Sequence, residues 1–141
     1  MDTAKKMLII KIVVIAVIAL IAFTIVLMVI KLSAANALLL PVEQQLNLLE
    51  AGQVESAFDL TAQNFKETET LEKFKNFVEM NPLLTSKTNR VFNERRVEGN
   101  YGFVKGAIAT ETGVRLFIEY DLIKEGGQWK IIHLKADSNP L

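Results

Sequence analysis

IVVIAVIALIAFTIVLMVI, residues Ile12–Ile30, contains no charged side chain and a single polar one, Thr24. Counted from Leu8, about 23 helical residues at about 1.5 Å each span roughly 34 Å. The hydrocarbon core of a bilayer is about 30 Å thick. The run therefore predicts a transmembrane helix over residues 8–31, and we interpret the rest of the chain as a domain held beside a membrane.

Three alternatives to a simple membrane anchor fit the sequence less well. A cleaved signal peptide suits the basic start and the small residues Ala35–Ala37, but the run exceeds the usual 7–15-residue signal core and we expect Met1 to be retained. A buried soluble helix needs a larger core than this chain can supply. Pilins carry a glutamate near the start of the apolar helix, whereas no acid occurs here between Asp2 and Glu43.

The charges that flank the run predict its orientation. Lys5, Lys6 and Lys11 precede the span, whereas only Lys31 borders its far end. Positive charge concentrates on the cytoplasmic side of membrane helices. We therefore expect residues 1–7 in the cytoplasm and the larger C-terminal part outside, which in a bacterium means periplasmic or extracellular.

Composition excludes several classes of function for the outer part. Residues 32–141 carry twelve Lys and Arg against fifteen Asp and Glu, a net charge of −3, and nucleic-acid binding needs a basic face. The chain has no cysteine, so it forms neither disulfides nor thiolate metal sites. His133 is the only histidine, which excludes a multi-histidine zinc site within one chain. We expect no cofactor and no metal.

The residues after the span are predicted to form one α+β domain. A junction over residues 32–40 leads into the outer domain, residues 41–141, whose first half has three stretches of helical spacing that end near Gly52, Phe65 and Pro82. The second half alternates in the manner of strands, most clearly over residues 114–122. The order predicts about three helices packed on a curved four-stranded antiparallel sheet.

Three motifs resemble those of nuclear transport factor 2-like (cystatin-like) domains. They are L-x-x-G-x-x-x-x-A-F-D-L-T from Leu49 to Thr61, the helix start Thr70–Phe74, and the closing hairpin Tyr120–Ile131. The resemblance covers about residues 41–137 and implies a conical α+β fold. That superfamily includes enzymes, ligand carriers, assembly subunits and small membrane-anchored domains, so the resemblance implies no particular activity.

Enzymes of that superfamily place an Asp, Tyr or His inside the cone, and the candidates here are Asp59, Tyr101, Tyr120, Asp121 and His133. We expect Tyr120 to fill the core with its hydroxyl at the rim, because it shares the phase of an apolar strand. His133 shares a strand phase with Trp129 and Ile131, which predicts a packed histidine rather than a catalytic one. Asp59 is expected to be solvated. No residue is assigned a catalytic, cofactor or metal role.

Two further features have an interpretation of their own. Trp129 is predicted to pack on the helices. The rest of the core is expected to come from five phenylalanines, Phe58, Phe65, Phe74, Phe77 and Phe103, and to contain no polar pocket. The charged segment around Arg95, Glu94–Arg96, is interpreted as an edge strand that discourages pairing, with contact to lipid phosphates as the alternative.

Together these patterns predict a single-pass accessory or scaffold protein that is not an enzyme. Its expected partners are the lipid bilayer and either other membrane proteins or a second copy of the chain, without nucleic acid. A membrane-tethered small-molecule binder or enzyme that uses the cone is the alternative.

Overall fold

The computed structural model describes residues 2–139 and separates them into two compact units that meet between Ala34 and Ala35. Helix α1, Thr3–Ala37, forms the first unit up to Ala34, and its apolar side chains from Met7 to Ile30 are exposed. Among the described residues it is the one helix long and apolar enough to cross a membrane, as an anchor or as a signal sequence.

The second unit begins with short helices: α2 Leu39–Glu50, α3 Val54–Asp59, α4 Gln63–Thr68 and α5 Leu71–Met80, followed by a 3-10 turn, Pro82–Thr85. The hydroxyl oxygen of Thr70 accepts a hydrogen bond from the Lys73 N–H and caps α5. The predicted helical stretch that ends near Phe65 is two helices, α3 and α4. The chain leaves the helix between them because the Ala62 N–H donates to the carbonyl of Ile131 at 2.7 Å.

Four strands follow the helices and form one antiparallel sheet. They are β1 Asn89–Glu98, β2 Tyr101–Ala109, β3 Arg115–Glu125 and β4 Gln128–Asp137, paired in chain order. β1 lies at one edge, where its charged residues were predicted. The predicted α+β class is therefore confirmed, with short helices beside a four-stranded antiparallel sheet.

One face of the sheet packs against the helices, and we call it the inner face. The alternation of β3 places Ile118, Tyr120 and Leu122 there, all fully buried. Leu38, inside the stretch interpreted as a junction, is also fully buried. A side chain at Gly102 would collide with it, so the core of the second unit already begins before Pro41.

Four of the five phenylalanines predicted for the core lie in it or, like Phe58 and Phe77, pack against it. Phe65 and Phe74 are buried, with ring centroids 6.2 Å apart, and the partly buried Phe58 packs against both. Phe103 lies outside this core. Its neighbours in β2, Gly102 and Val104, point to the inner face, so the side chain of Phe103 points to the opposite face. Trp129 is half-buried and packs at the margin of the core.

Candidate functional site

Tyr120, predicted with its hydroxyl at the rim, is sealed inside the domain. Its side chain is fully buried between Val104 and Leu134 on neighbouring strands, and its hydroxyl has no hydrogen-bond partner among residues 2–139. The rim prediction is wrong because β3 is a central strand, whose inner face is covered along this length. Burial raises the pKa of Tyr120 far above its ordinary value, so the phenol stays neutral.

A second polar side chain lies in the same core. Gln45 on α2 is fully buried, and its Nε2 donates to the carbonyl of Ala57 at 3.1 Å, which ties α2 to α3. Its Oε1 finds no partner within the described part of the chain. This amide stabilises the contact between two helices rather than facing an accessible pocket.

His133 is exposed, contrary to the prediction that it packs in phase with Trp129 and Ile131. Asp121 pairs with His133 but Leu122 pairs with Ile131, so Ile132 is an extra residue that bulges from β4. A bulge shifts the alternation by one residue and turns His133 to the outer face. Its Nδ1 lies 3.4 Å from Oδ2 of Asp121, with 58% of the histidine side chain and 49% of the aspartate side chain exposed.

The remaining candidates are Asp59 and Tyr101. Asp59 is exposed, as expected, and its backbone carbonyl accepts a hydrogen bond from Lys66 Nζ at 3.0 Å. Tyr101 is 60% exposed at the start of β2. Asp121 and His133 are thus close enough to form an ion pair at the surface, and Tyr101 lines a groove of about 220 Å³ together with Asp121. No group of three or more potential metal ligands forms within residues 2–139.

The strongest side-chain constellation was missed by the sequence analysis. Arg90, at the start of β1, donates from Nη1 to Glu43 at 2.8 Å and to Asn47 at 2.6 Å, and from Nη2 to Glu50 at 2.8 Å. Its side chain is 13% exposed. The three acceptors recur at i, i+4 and i+7 of α2 and so share one helix face. We call this set the Arg90 clamp, which fastens α2 to the edge of the sheet.

The face of the sheet opposite the core, here the outer face, carries a ladder of alternating charges. It crosses all four strands in register, in the order Glu94, Lys105, Glu119 and Lys135. Lys105 Nζ lies 3.2 Å from Oε1 of Glu119. Opposite charges on adjacent strands attract each other and help to hold the register of the sheet.

Beside the charge ladder the outer face is apolar and grooved. Val91, which is 64% exposed, pairs with Ala107, and Ala107 pairs with Phe117. These residues line a groove of about 560 Å³. Phe103 is on the same face, with the guanidinium of Arg96 5.1 Å from its ring centroid. The outer face therefore carries apolar side chains that do not belong to the core, beside an ordered row of charges.

At the edge of the sheet, Arg95 has a protein partner for its guanidinium. Its Nη1 donates to Oδ1 of Asn36 at 2.8 Å. The neighbouring pair, Arg96 and Glu94, is 3.7 Å apart and more exposed. Arg95 therefore connects β1 to the start of the second unit, in the charged edge strand that the sequence predicted.

Comparison with known proteins gives one finding about this chain. No curated protein matches it. The resemblance to nuclear transport factor 2-like domains stays a prediction, consistent with the α+β fold. A family model described as "Domain of unknown function (DUF4864)" matches residues 33–139 and so covers the whole sheet and the helices beside it. Since that match extends over more than half of its length, the chain belongs to the DUF4864 family.

Proposed function

We propose that this protein is a single-pass, membrane-anchored accessory protein whose outer domain holds a protein partner on the outer face of its sheet. Residues 1–7 lie in the cytoplasm and the domain lies outside the membrane. The function is binding rather than catalysis. Confinement to a membrane supports such a role because it raises the local concentration of partners that share the same surface.

The observation that carries the proposal is the outer face itself. The side chains that form the domain's core belong to the inner face and the helices, whereas Val91, Ala107 and Phe117 remain outside it. The polar groups of the interior, by contrast, are sealed or structural, as at Tyr120 and Gln45. General acid–base catalysis needs a titratable group within reach of a substrate, and a sealed neutral phenol does not meet that need.

The charge ladder favours a second copy of the chain as the partner. A two-fold axis parallel to the strands, between β2 and β3, would place Lys105 opposite Glu119 of the second copy. The same axis would place Glu94 opposite Lys135, so every charge of the ladder would meet its opposite. Two-fold interfaces are self-complementary in this way, and sheets pack face to face about 10 Å apart.

The same axis suits two chains anchored in one membrane. Rotation about an axis parallel to the strands leaves the direction of the strands unchanged. In each copy, Leu38 packs on Gly102 at one end of the sheet, and these ends of the two copies would then lie on the same side of the dimer. Both chains could therefore start from one bilayer, which an axis perpendicular to the strands would not allow.

Charge reversal in separate chains tests this proposal. Glu119→Lys and Lys105→Glu should each abolish self-association of the full chain in detergent, since each places two like-charged pairs across the axis. An equimolar mixture of the two variants should associate, because every facing pair is again of opposite sign. Lys105 and Glu119 are also neighbours within one sheet, but mixing two variants leaves the pair within each chain unchanged. Association that appears only in the mixture must therefore come from contacts between chains.

Light scattering reports the mass of each sample, with Lys66→Glu, on a helix, as the matched control that should associate like the parent. A parent chain that is monomeric at every concentration, or variants that associate as the parent does, would contradict the proposed surface. Association of each variant alone but not of the mixture would contradict the two-fold arrangement.

A further inference from the structure

One end of the sheet gathers the residues at which the chain enters the second unit. The side chain of Asn36 is bound by Arg95, and Leu38 packs on Gly102. The two hairpins of this end are joined by a hydrogen bond from the Lys124 N–H to the Asn100 carbonyl at 2.8 Å. We call this the entry end, and its exposed or half-buried side chains include Leu40, Tyr101, Lys124, Trp129 and Lys130.

The entry end carries all of the accessible tyrosine and tryptophan of the chain. Trp129 is the only tryptophan, and of the two tyrosines Tyr120 is sealed in the core while Tyr101 is 60% exposed. Leu40 is 65% exposed and lines a groove of about 480 Å³ together with Trp129. Tyrosine and tryptophan concentrate at the interface between membrane and water, because each has an apolar ring and a polar group.

Lysines accompany these rings. Lys124 Nζ lies 5.7 Å from the centroid of the Trp129 ring, and Lys130 follows Trp129 in the chain and lines the same groove. Long lysine side chains can lie along an apolar surface and extend their ammonium groups toward phosphates. Glu98 and Glu125 share this end, so attraction to net negative charge is not the main source of affinity.

The length of the chain keeps the entry end close to the bilayer. From Ile30, the last residue of the apolar run, to Ala37, the last of α1, seven helical residues cover about 10 Å at most. The headgroup layer on each side of the hydrocarbon is about 5–8 Å thick. Ala37 therefore lies at or just beyond this layer, whatever the tilt of the helix.

We propose that the entry end is a lipid-contacting surface, in which Trp129, Tyr101 and Leu40 enter the headgroup layer of the membrane that holds the anchor. This inference rests on the proposed anchor.

The single tryptophan provides the test. The full chain is reconstituted in phosphatidylcholine vesicles, with or without lipid that bears a nitroxide quencher at the headgroup. Trp129 emission should fall at least about two-fold with the quencher, as expected for an interfacial ring. The control variant Trp129→Phe/Val114→Trp moves the probe to the β2–β3 turn at the opposite end of the sheet, where quenching should be absent. Leu40→Glu should reduce quenching of Trp129, since it places a charge beside the ring.

The outcomes separate this inference from the anchor on which it rests. Protein that floats with the vesicles while Trp129 remains unquenched, or is quenched no more than the control, overturns the lipid-contacting surface and leaves the anchor standing. Protein that does not float overturns both.

Discussion

The Arg90 clamp should contribute measurably to stability, and Arg90→Ala tests by how much. The guanidinium makes three hydrogen bonds of 2.6–2.8 Å, and its own side chain is 13% exposed. Glu43 and Glu50 are 41% and 31% exposed, so solvent screens both ion pairs. Counting about 1 kcal/mol for each of the three bonds after that screening, the substitution should lower the free energy of unfolding by about 2–3 kcal/mol.

Urea unfolding of the full chain in detergent, followed by circular dichroism, measures this difference. Arg96→Ala is the control, because its ion pair with Glu94 is exposed and 3.7 Å long; with its cation–π contact to Phe103 also lost, it should cost about 1 kcal/mol or less. Arg90→Lys should fall between the two, since an ammonium cannot reach three acceptors in the fork geometry of a guanidinium. If Arg90→Ala is as stable as Arg96→Ala, the clamp does not stabilise the fold.

Three further predictions concern the core and the topology. Tyr120→Phe should raise the unfolding free energy by about 1 kcal/mol in the same urea assay, because it removes a buried hydroxyl that has no partner among residues 2–139. A decrease of the same size would instead reveal a hydrogen bond to a buried water. Gly102→Ala should lower the unfolding free energy by about 1–3 kcal/mol through collision with Leu38, whereas the same substitution in a Leu38→Ala background should cost about 0.5 kcal/mol or less if the collision is the cause. Protease added to intact cells whose outer membrane face is accessible should digest residues 41–141; digestion only in inverted vesicles would show the opposite orientation.

The elements that the sequence predicted well are those whose pattern is local. β3 has one face in the core and one outside it, so Ile118, Tyr120 and Leu122 alternate with polar residues and the strand follows from period 2. The transmembrane candidate depends on the composition of a single run. The cap of α5 follows from Thr70 alone, because an N-cap acts on N–H groups only three residues away.

The features that could not be predicted from the sequence depend mostly on contacts between distant segments of the chain. Arg90 meets its partners across 40–47 residues of sequence, and nothing local to β1 predicts which helix lies beside it. The bulge at Ile132 inverts the position of His133, and its local signal, the two consecutive apolar residues Ile131 and Ile132, was passed over because the strand was assumed to keep one phase. The depth of Tyr120 depends on how far the helices extend over the sheet, which is a property of packing rather than of pattern.

Cross-linking between outer faces in native membranes tests the central claim most directly. The chain has no cysteine, so Ala107→Cys introduces a single thiol beside the proposed two-fold axis. With the sheets about 10 Å apart, a short bismaleimide should join two such chains into a product of twice the 15.8 kDa chain mass. Ser56→Cys, exposed on α3, should give no such product under the same conditions. Equal cross-linking of the two variants, or none from Ala107→Cys, would contradict the account.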